Sequence, residues 1–196
     1  TLEIQLLQKV LGEKIYWNLY GDYMQVSTVY KGQPEKTGLW EPLKKQLNGS
    51  LYNIDVNYRN AKQIVEYCNK EFGMKVASTG MDGDVDPDSW SGCWNRFIEC
   101  LEECKKQKDE YTAAIIVNST SKFGMYYNEL RQGGYKVNDS DLSVGTIEKK
   151  IALLDVKSAK GMEFRYVFVD KEEMTQHELY IAYTRAMEKL FVAEEE

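Results

Sequence analysis

Read for hydrophobic and polar positions alone, the chain alternates short apolar runs with amphipathic stretches. Leu2, Leu6, Leu7, Val10 and Leu11 recur at helical spacing and stop at Gly12, which predicts a first helix closed by a glycine cap. Ile15 to Tyr20 reads as a strand closed by Gly21 and Asp22. Residues 31–38 are loop-like, with Gly32, Pro34 and Gly38; a short helix is expected over Leu39 to Leu47 and a strand over Leu51 to Val56. A helix beginning near Asn60 keeps Ile64, Val65, Cys68 and Phe72 on one side, and Trp94, Phe97, Ile98, Leu101 and Cys104 line a further helical face. Aromatic residues at that spacing read as core.

The second half is more apolar. "TAAIIVNST", Thr112 to Thr120, is a continuous run of the kind buried on both faces of a parallel sheet. The pattern then predicts a helix over Lys122 to Gln132 ending at Gly133 and Gly134, and strands over Ile151 to Val156 and Tyr166 to Val169. A helix over Glu173 to Lys189 and a last strand over Leu190 to Ala193 complete it. Strands alternating with helices predict an α/β architecture, a mostly parallel sheet flanked by helices. In such sheets function collects at the carboxyl ends of the strands, where the charged segment Asp155 to Glu163 is expected.

Composition narrows the picture. With 196 residues and 43% hydrophobic content the chain can bury one sizeable core. A net charge of -6 excludes a generally basic nucleic-acid coat but leaves room for a local basic strip. No apolar run approaches the ~20 residues of a membrane helix and no leader resembles a secretory signal, so a soluble, cytoplasmic protein with no membrane partner is expected. The four cysteines form no C-x-x-C pair and read as reduced packing thiols rather than zinc ligands. "DGDVDPD", Asp82 to Asp88, fails as a calcium loop because Pro87 stands where the turn needs glycine and Cys93 where it needs glutamate. The stretch from Ser78 to Trp90 therefore reads as an acidic solvated loop. A chain that opens on Thr1 within a helical pattern is expected to be a piece of a longer protein.

Polar residues gather in four clusters: Gly21 to Gln25, Asn57 to Asn60, Asp155 to Glu163, and Thr184 with Arg185 inside the last helix. An arginine suits phosphate because its planar fork donates two hydrogen bonds and stays charged when desolvated, so Arg59 and Arg185 could clamp one polyphosphate. "GDYMQ" at Gly21, "NYRN" at Asn57, "KSAKGMEF" at Lys157 and "YIAYTRA" at Tyr180 resemble, in order, motifs III, IV, V and VI of the UvrD/Rep-like superfamily 1 DNA helicases. The resemblance runs from Gly21 to Leu190 and is thinnest between Gly73 and Thr112.

It implies a carboxyl-terminal RecA-like motor domain over residues 31–196, preceded by the tail of a first motor domain over 1–30, with 78–110 a reduced insertion. It implies that Gln25 senses the terminal phosphate and positions the attacking water, that Arg59 and Arg185 contact that phosphate, and that Arg185 acts as an arginine finger. Glu163 would bind the ribose, with Lys160 and Gly161 in the same nucleotide-facing turn. Lys157, Ser158 and Tyr30, or Tyr23 in its place, would meet DNA. The implied cofactor is ATP with Mg2+, held by an amino-terminal motor domain of the same polypeptide; the implied partner is single-stranded or partly duplex DNA.

The chain departs from the family where Asp155 and Lys157 replace the usual threonine and histidine of motif V, and where "QVSTVY" displaces the aromatic of motif III to Tyr30. It holds no G-x-x-x-x-G-K-[ST] and no DExx acid pair, so the chain alone is not expected to hydrolyse ATP. The small insertion favours a translocase or partner-regulated ATPase over processive unwinding. The rival reading is a non-catalytic RecA-like module that binds a protein partner, as in a DNA repair or transcription factor. A Rossmann-like enzyme lacks support because no G-x-G-x-x-G follows a strand.

Overall fold

A computed structural model describes residues 2–11, 16–25, 40–108, 111–138 and 151–194. The chain divides into two compact units, residues 1–54 and 55–196. The smaller contains helix α1 (Leu2–Leu11), one 3₁₀ turn over Tyr23–Gln25 and helix α2 (Trp40–Leu47). The strand expected over Ile15 to Tyr20 does not form across residues 16–20, and Ile15 lies outside the described residues. Tyr16 and Tyr20 stand in solvent there, so the apolar pattern has no partner strand to bury it.

In the larger unit, β1 (Val56–Asn57) pairs in parallel with β2 (Ala77–Ser78), with α3 (Lys62–Phe72) between them. The strand expected from Leu51 thus shrinks to its end, because Tyr52 and Ile54 face water. Next come β3 (Asp84–Ser89), α4 (Trp90–Gln107), β4 (Ala113–Ile116), α5 (Thr120–Gln132), β5 (Val137–Asn138) and β6 (Ile151–Leu154). The one-turn α6 (Val156–Ala159), β7 (Phe164–Asp170), α7 (Gln176–Tyr183) and β8 (Ala186–Glu194) complete the unit. Six strands form one sheet in the order β3-β8-β7-β4-β6-β5, with every pair parallel.

Strand alternation sorts the core into two layers. Ile116, Leu154, Val167, Val169, Leu190 and Val192 pack beneath α3, α6 and α7 with Ile64, Cys68 and Tyr183. Ile115, Leu153, Tyr166, Phe168 and Phe191 face α4 and α5 through Trp94, Phe97, Leu101, Tyr126 and Leu130. Each such aliphatic or phenyl side chain contributes roughly 1.5–3 kcal/mol on burial. All four cysteines are free and buried in these layers.

Two further expectations fail. The acidic stretch Ser78 to Trp90 contains β3, an edge strand with β8 as its neighbour, where Pro87 can be tolerated. Asp86 and Asp88 spend their charge on Arg96 of α4, and Ser89 caps that helix by accepting from Gly92 N. Residues placed in a reduced insertion therefore supply a strand and a helix to the central core. The last helix also stops at Tyr183 instead of Lys189, and β8 begins four residues earlier than expected. Thr184 turns its hydroxyl back onto the Tyr180 and Ile181 carbonyls, and residues from Ala186 onward find both β7 and β3 as partners.

Candidate functional site

Strand register fixes where each charged residue falls. Ala113, Ile151 and Tyr166 lie level near the amino edge of the sheet, and Ile116, Leu154 and Val169 lie level at the carboxyl edge. Asp155 leaves β6 at the carboxyl edge. By Phe164, which pairs with Ala186, the chain has crossed to the amino edge. The segment Asp155 to Glu163 is therefore split between two edges, where the sequence pattern placed it whole at the carboxyl ends.

At the carboxyl edge Asp155 accepts from Ser158 N at 2.6 Å and caps α6. That capping bond accounts for an aspartate where the helicase motif usually has threonine. Lys157 and Ser158 are exposed on this turn. Beside it, buried Asp170 accepts from Tyr126 Oη at 2.6 Å, Lys122 Nζ at 3.0 Å and Glu172 N at 3.1 Å. Tyr126 in turn accepts from Trp90 Nε1 at 2.7 Å. Burial, then the bond to Asp170, holds the Tyr126 hydroxyl protonated far above its ordinary range.

The amino edge is assembled from three distant segments. Gly161 turns the chain at φ +85, a conformation that favours glycine whatever the surrounding space, and presents exposed Lys160 and Glu163. Asn57 Oδ1 accepts from Arg59 N at 2.8 Å and Asn60 N at 2.9 Å, a side-chain turn that fixes the "NYRN" backbone. Arg59 donates to Glu163 Oε1 at 3.2 Å and to Thr184 O at 3.2 Å. These two charged side chains are 36% and 47% exposed, while Arg59 Nε is buried without an acceptor.

Arg185 sits in the turn between α7 and β8 and is 1% exposed. It donates through Nε to Ile181 O at 3.0 Å, Nη1 to Met162 O at 3.1 Å and Nη2 to Thr184 Oγ1 at 3.1 Å. Arg59, Gly161, Glu163 and Arg185 are thus brought together, whereas Lys157 and Ser158 lie at the opposite edge. Gln25 belongs to the smaller unit, where its Nε2 donates to Asp22 Oδ2 at 3.0 Å. Tyr30 lies outside the described residues, as does the side chain of Tyr23.

Sequence reading gave no role to three residues of this edge. Tyr58, beside Arg59, is 75% exposed. Asn60 and Thr184 are buried; Thr184 O accepts from Arg59 Nη2, and Asn60 Nδ2 donates to that same carbonyl. The available signal was a second asparagine closing "NYRN" just before an apolar helical face, which marks a buried polar anchor.

Residues 150–193, covering the charged segment and the Arg185 turn, match the model of the UvrD-like helicase C-terminal domain. None of the curated proteins matches the chain. Among solved structures, the C-terminal domain of a possible DNA helicase from Lactobacillus plantarum WCFS1 superposes with a TM-score of 0.50 at 20% identity. That likeness covers 70% of this chain and 87% of the other, and bears on the fold alone. Residues 150–193 are thus similar in sequence to a UvrD-like helicase C-terminal domain, and the chain is similar in fold to the C-terminal domain of a possible DNA helicase.

Proposed function

We propose that this chain is the second motor half of an ATP-dependent DNA helicase or translocase, closing on ATP and Mg2+ held by an amino-terminal motor domain of the same polypeptide. The observation that carries this reading is the meeting of Arg59, Glu163 and Arg185 at one edge of the sheet. Bound ATP with Mg2+ supplies the phosphoryl-transfer chemistry; the residues here bind and orient.

The residues fit that group unequally. Arg59 fits directly: it is part-exposed, its one charged partner among the described residues is a part-exposed carboxylate, and its buried Nε lacks an acceptor. A phosphate oxygen would satisfy it with a charge-assisted bond. Glu163, released from Arg59, would accept from a ribose hydroxyl, with Lys160 and Gly161 shaping the turn. The exposed ring of Tyr58 offers a base a stacking face. Arg185 as a finger must exchange neutral protein acceptors for a charged one, an exchange favoured because ionic hydrogen bonds are about twice as strong. Gln25 is assigned to the terminal phosphate, and Lys157 and Ser158 to the DNA backbone at the other edge, by resemblance.

Arg59→Ala and Arg185→Ala in the full polypeptide test this. Loss of a transition-state arginine is expected to lower DNA-stimulated ATPase by about 10³-fold or more. Activity within a few-fold of the parent in both folded variants overturns the reading. The buried, carbonyl-bound state of Arg185 favours a second reading, a non-catalytic module that binds a protein partner, in which Arg185 is scaffold. An absence of ATP binding by the full polypeptide would select it.

A further inference from the structure

The amide of Asn60 touches the backbone on both sides of Arg185. Asn60 is 1% exposed, and its Nδ2 donates to Thr184 O at 3.0 Å and Ala186 O at 2.6 Å. Both N–H groups are used, one for each carbonyl flanking the arginine. Its Oδ1 accepts from Asn57 Nδ2 at 2.9 Å, and Asn57 is the residue whose side-chain Oδ1 accepts from Arg59 N and fixes that backbone. Ala61 N reaches Met187 O at 2.9 Å and continues the seam. Gly80 closes over Asn60 from outside, since a Cβ there would stand 2.2 Å from Asn60 O.

We infer that Asn60 is a positioning residue, a buried amide that sets Arg59 and Arg185 relative to each other by holding residues 184 and 186 against the "NYRN" turn. The geometry argues beyond simple stitching. Thr184 O receives Asn60 Nδ2 and Arg59 Nη2 together, so one carbonyl joins both the clamp and the first arginine. Thr184 Oγ1 receives Arg185 Nη2, so the same residue holds the second. Moving Thr184 by a fraction of an ångström would therefore displace both guanidinium groups in concert. Deleting a surface cation could not do this. The consequence for turnover rests on the nucleotide reading proposed above; the placement of the guanidinium groups does not.

The chemistry of position 60 selects the variants. Asn60→Ala removes both donors but leaves room that water can enter, because a cavity of about 20 Å³ lined by Asn57, Asn60, Tyr180 and Thr184 already adjoins the side chain. The variant is thus expected to fold. Asn60→Asp keeps the volume and turns an oxygen toward two carbonyl oxygens, a repulsive arrangement unless the carboxyl takes up a proton. It serves as the second variant if Asn60→Ala is unstable.

Two measurements test the inference. In this chain, the Nε–Hε resonances of Arg59 and Arg185, assigned through arginine-to-lysine variants, should both shift and exchange faster in Asn60→Ala. Unchanged resonances in a folded variant overturn the proposal, whatever the protein does with nucleotide. In the full polypeptide, kcat for DNA-stimulated ATPase should fall by about 10- to 100-fold with the ATP KM within about threefold, as expected for misplacement rather than lost binding. The fall should also vanish in an Arg59→Ala, Arg185→Ala background. A full kcat in folded Asn60→Ala, where Arg59→Ala is impaired, overturns the proposal and spares the nucleotide reading. If the two arginine variants are themselves fully active, that reading fails, and the resonance measurement alone decides the role of Asn60.

Discussion

The two edges of the central sheet handle their polar residues in opposite ways. At the carboxyl edge, Asp170, Lys122, Tyr126 and Trp90 close on one another, and Asp155 is consumed as a helix cap. At the amino edge, the charges of Arg59 and Glu163 meet in a part-exposed pair, and a buried Arg59 Nε has no acceptor. A satisfied buried network stabilises a fold, whereas a half-exposed charge pair contributes little and is free to be traded for a ligand. The difference predicts which edge tolerates mutation.

The largest effect is expected at Asp170. Asp170→Ala leaves the Tyr126 hydroxyl and Glu172 N without their acceptor and Lys122 with Glu172 alone of its two carboxylates, and removing one partner of a buried pair costs about 3–5 kcal/mol. Urea unfolding of this chain measures it. A loss below about 1 kcal/mol would break the contrast between the edges. Next comes a comparison within the amino edge itself. Arg185→Ala abandons two backbone carbonyls and a packed side chain and should cost about 2–4 kcal/mol, while Arg59→Ala, discounted for solvent screening, should cost about 1 kcal/mol. Equal losses would show that the part-exposed arginine is scaffold as well.

These contrasts explain what the sequence could disclose. Fully apolar strands such as Ala113–Ile116 announce themselves, because burial on both faces leaves no polar position. The strand Asp84–Ser89 is hidden because an edge strand is defined by its backbone bonds to β8, while its carboxylates answer an arginine on the next helix. The end of the last helix was unreadable for a related reason. "TRAMEKLFVAE" suits a helix locally, and Thr184's back-bonding, Asn60's clamp and two neighbouring strands override it. Motif order singled out Arg59, Glu163 and Arg185, but could not disclose the burial of one arginine and the part-exposure of the other, which depend on contacts from residues over a hundred positions away.

Alkali probes the core that both edges share. Burial pushes the Cys68 and Cys93 thiols up to about 12 and Cys100 up to about 11, from an ordinary 9.0. Above pH 9 the unfolded chain loses these protons and the folded chain keeps them, so stability is full below pH 9 and declines as pH rises through 11 to 12. Tm should be flat from pH 7 to 8.5 and then fall by about 3 °C per pH unit for each thiol. Native thiols should likewise resist a disulfide reagent until the chain unfolds.

The smallest effect is the most discriminating. Glu163→Gln keeps the shape of the side chain and removes one charge of the pair with Arg59. Because both groups are substantially exposed, stability should change by no more than about 1 kcal/mol, and the difference should shrink further in high salt. Yet the same change releases Arg59 from its carboxylate, so a phosphate-mimicking anion should bind this edge more tightly in the variant. A variant that loses stability heavily would move Glu163 into the scaffold with Arg185. One that keeps its stability and gains no anion affinity would leave the Arg59–Glu163 pair an ordinary surface contact, and the amino edge would lose the part-exposed cation on which its proposal as the site rests.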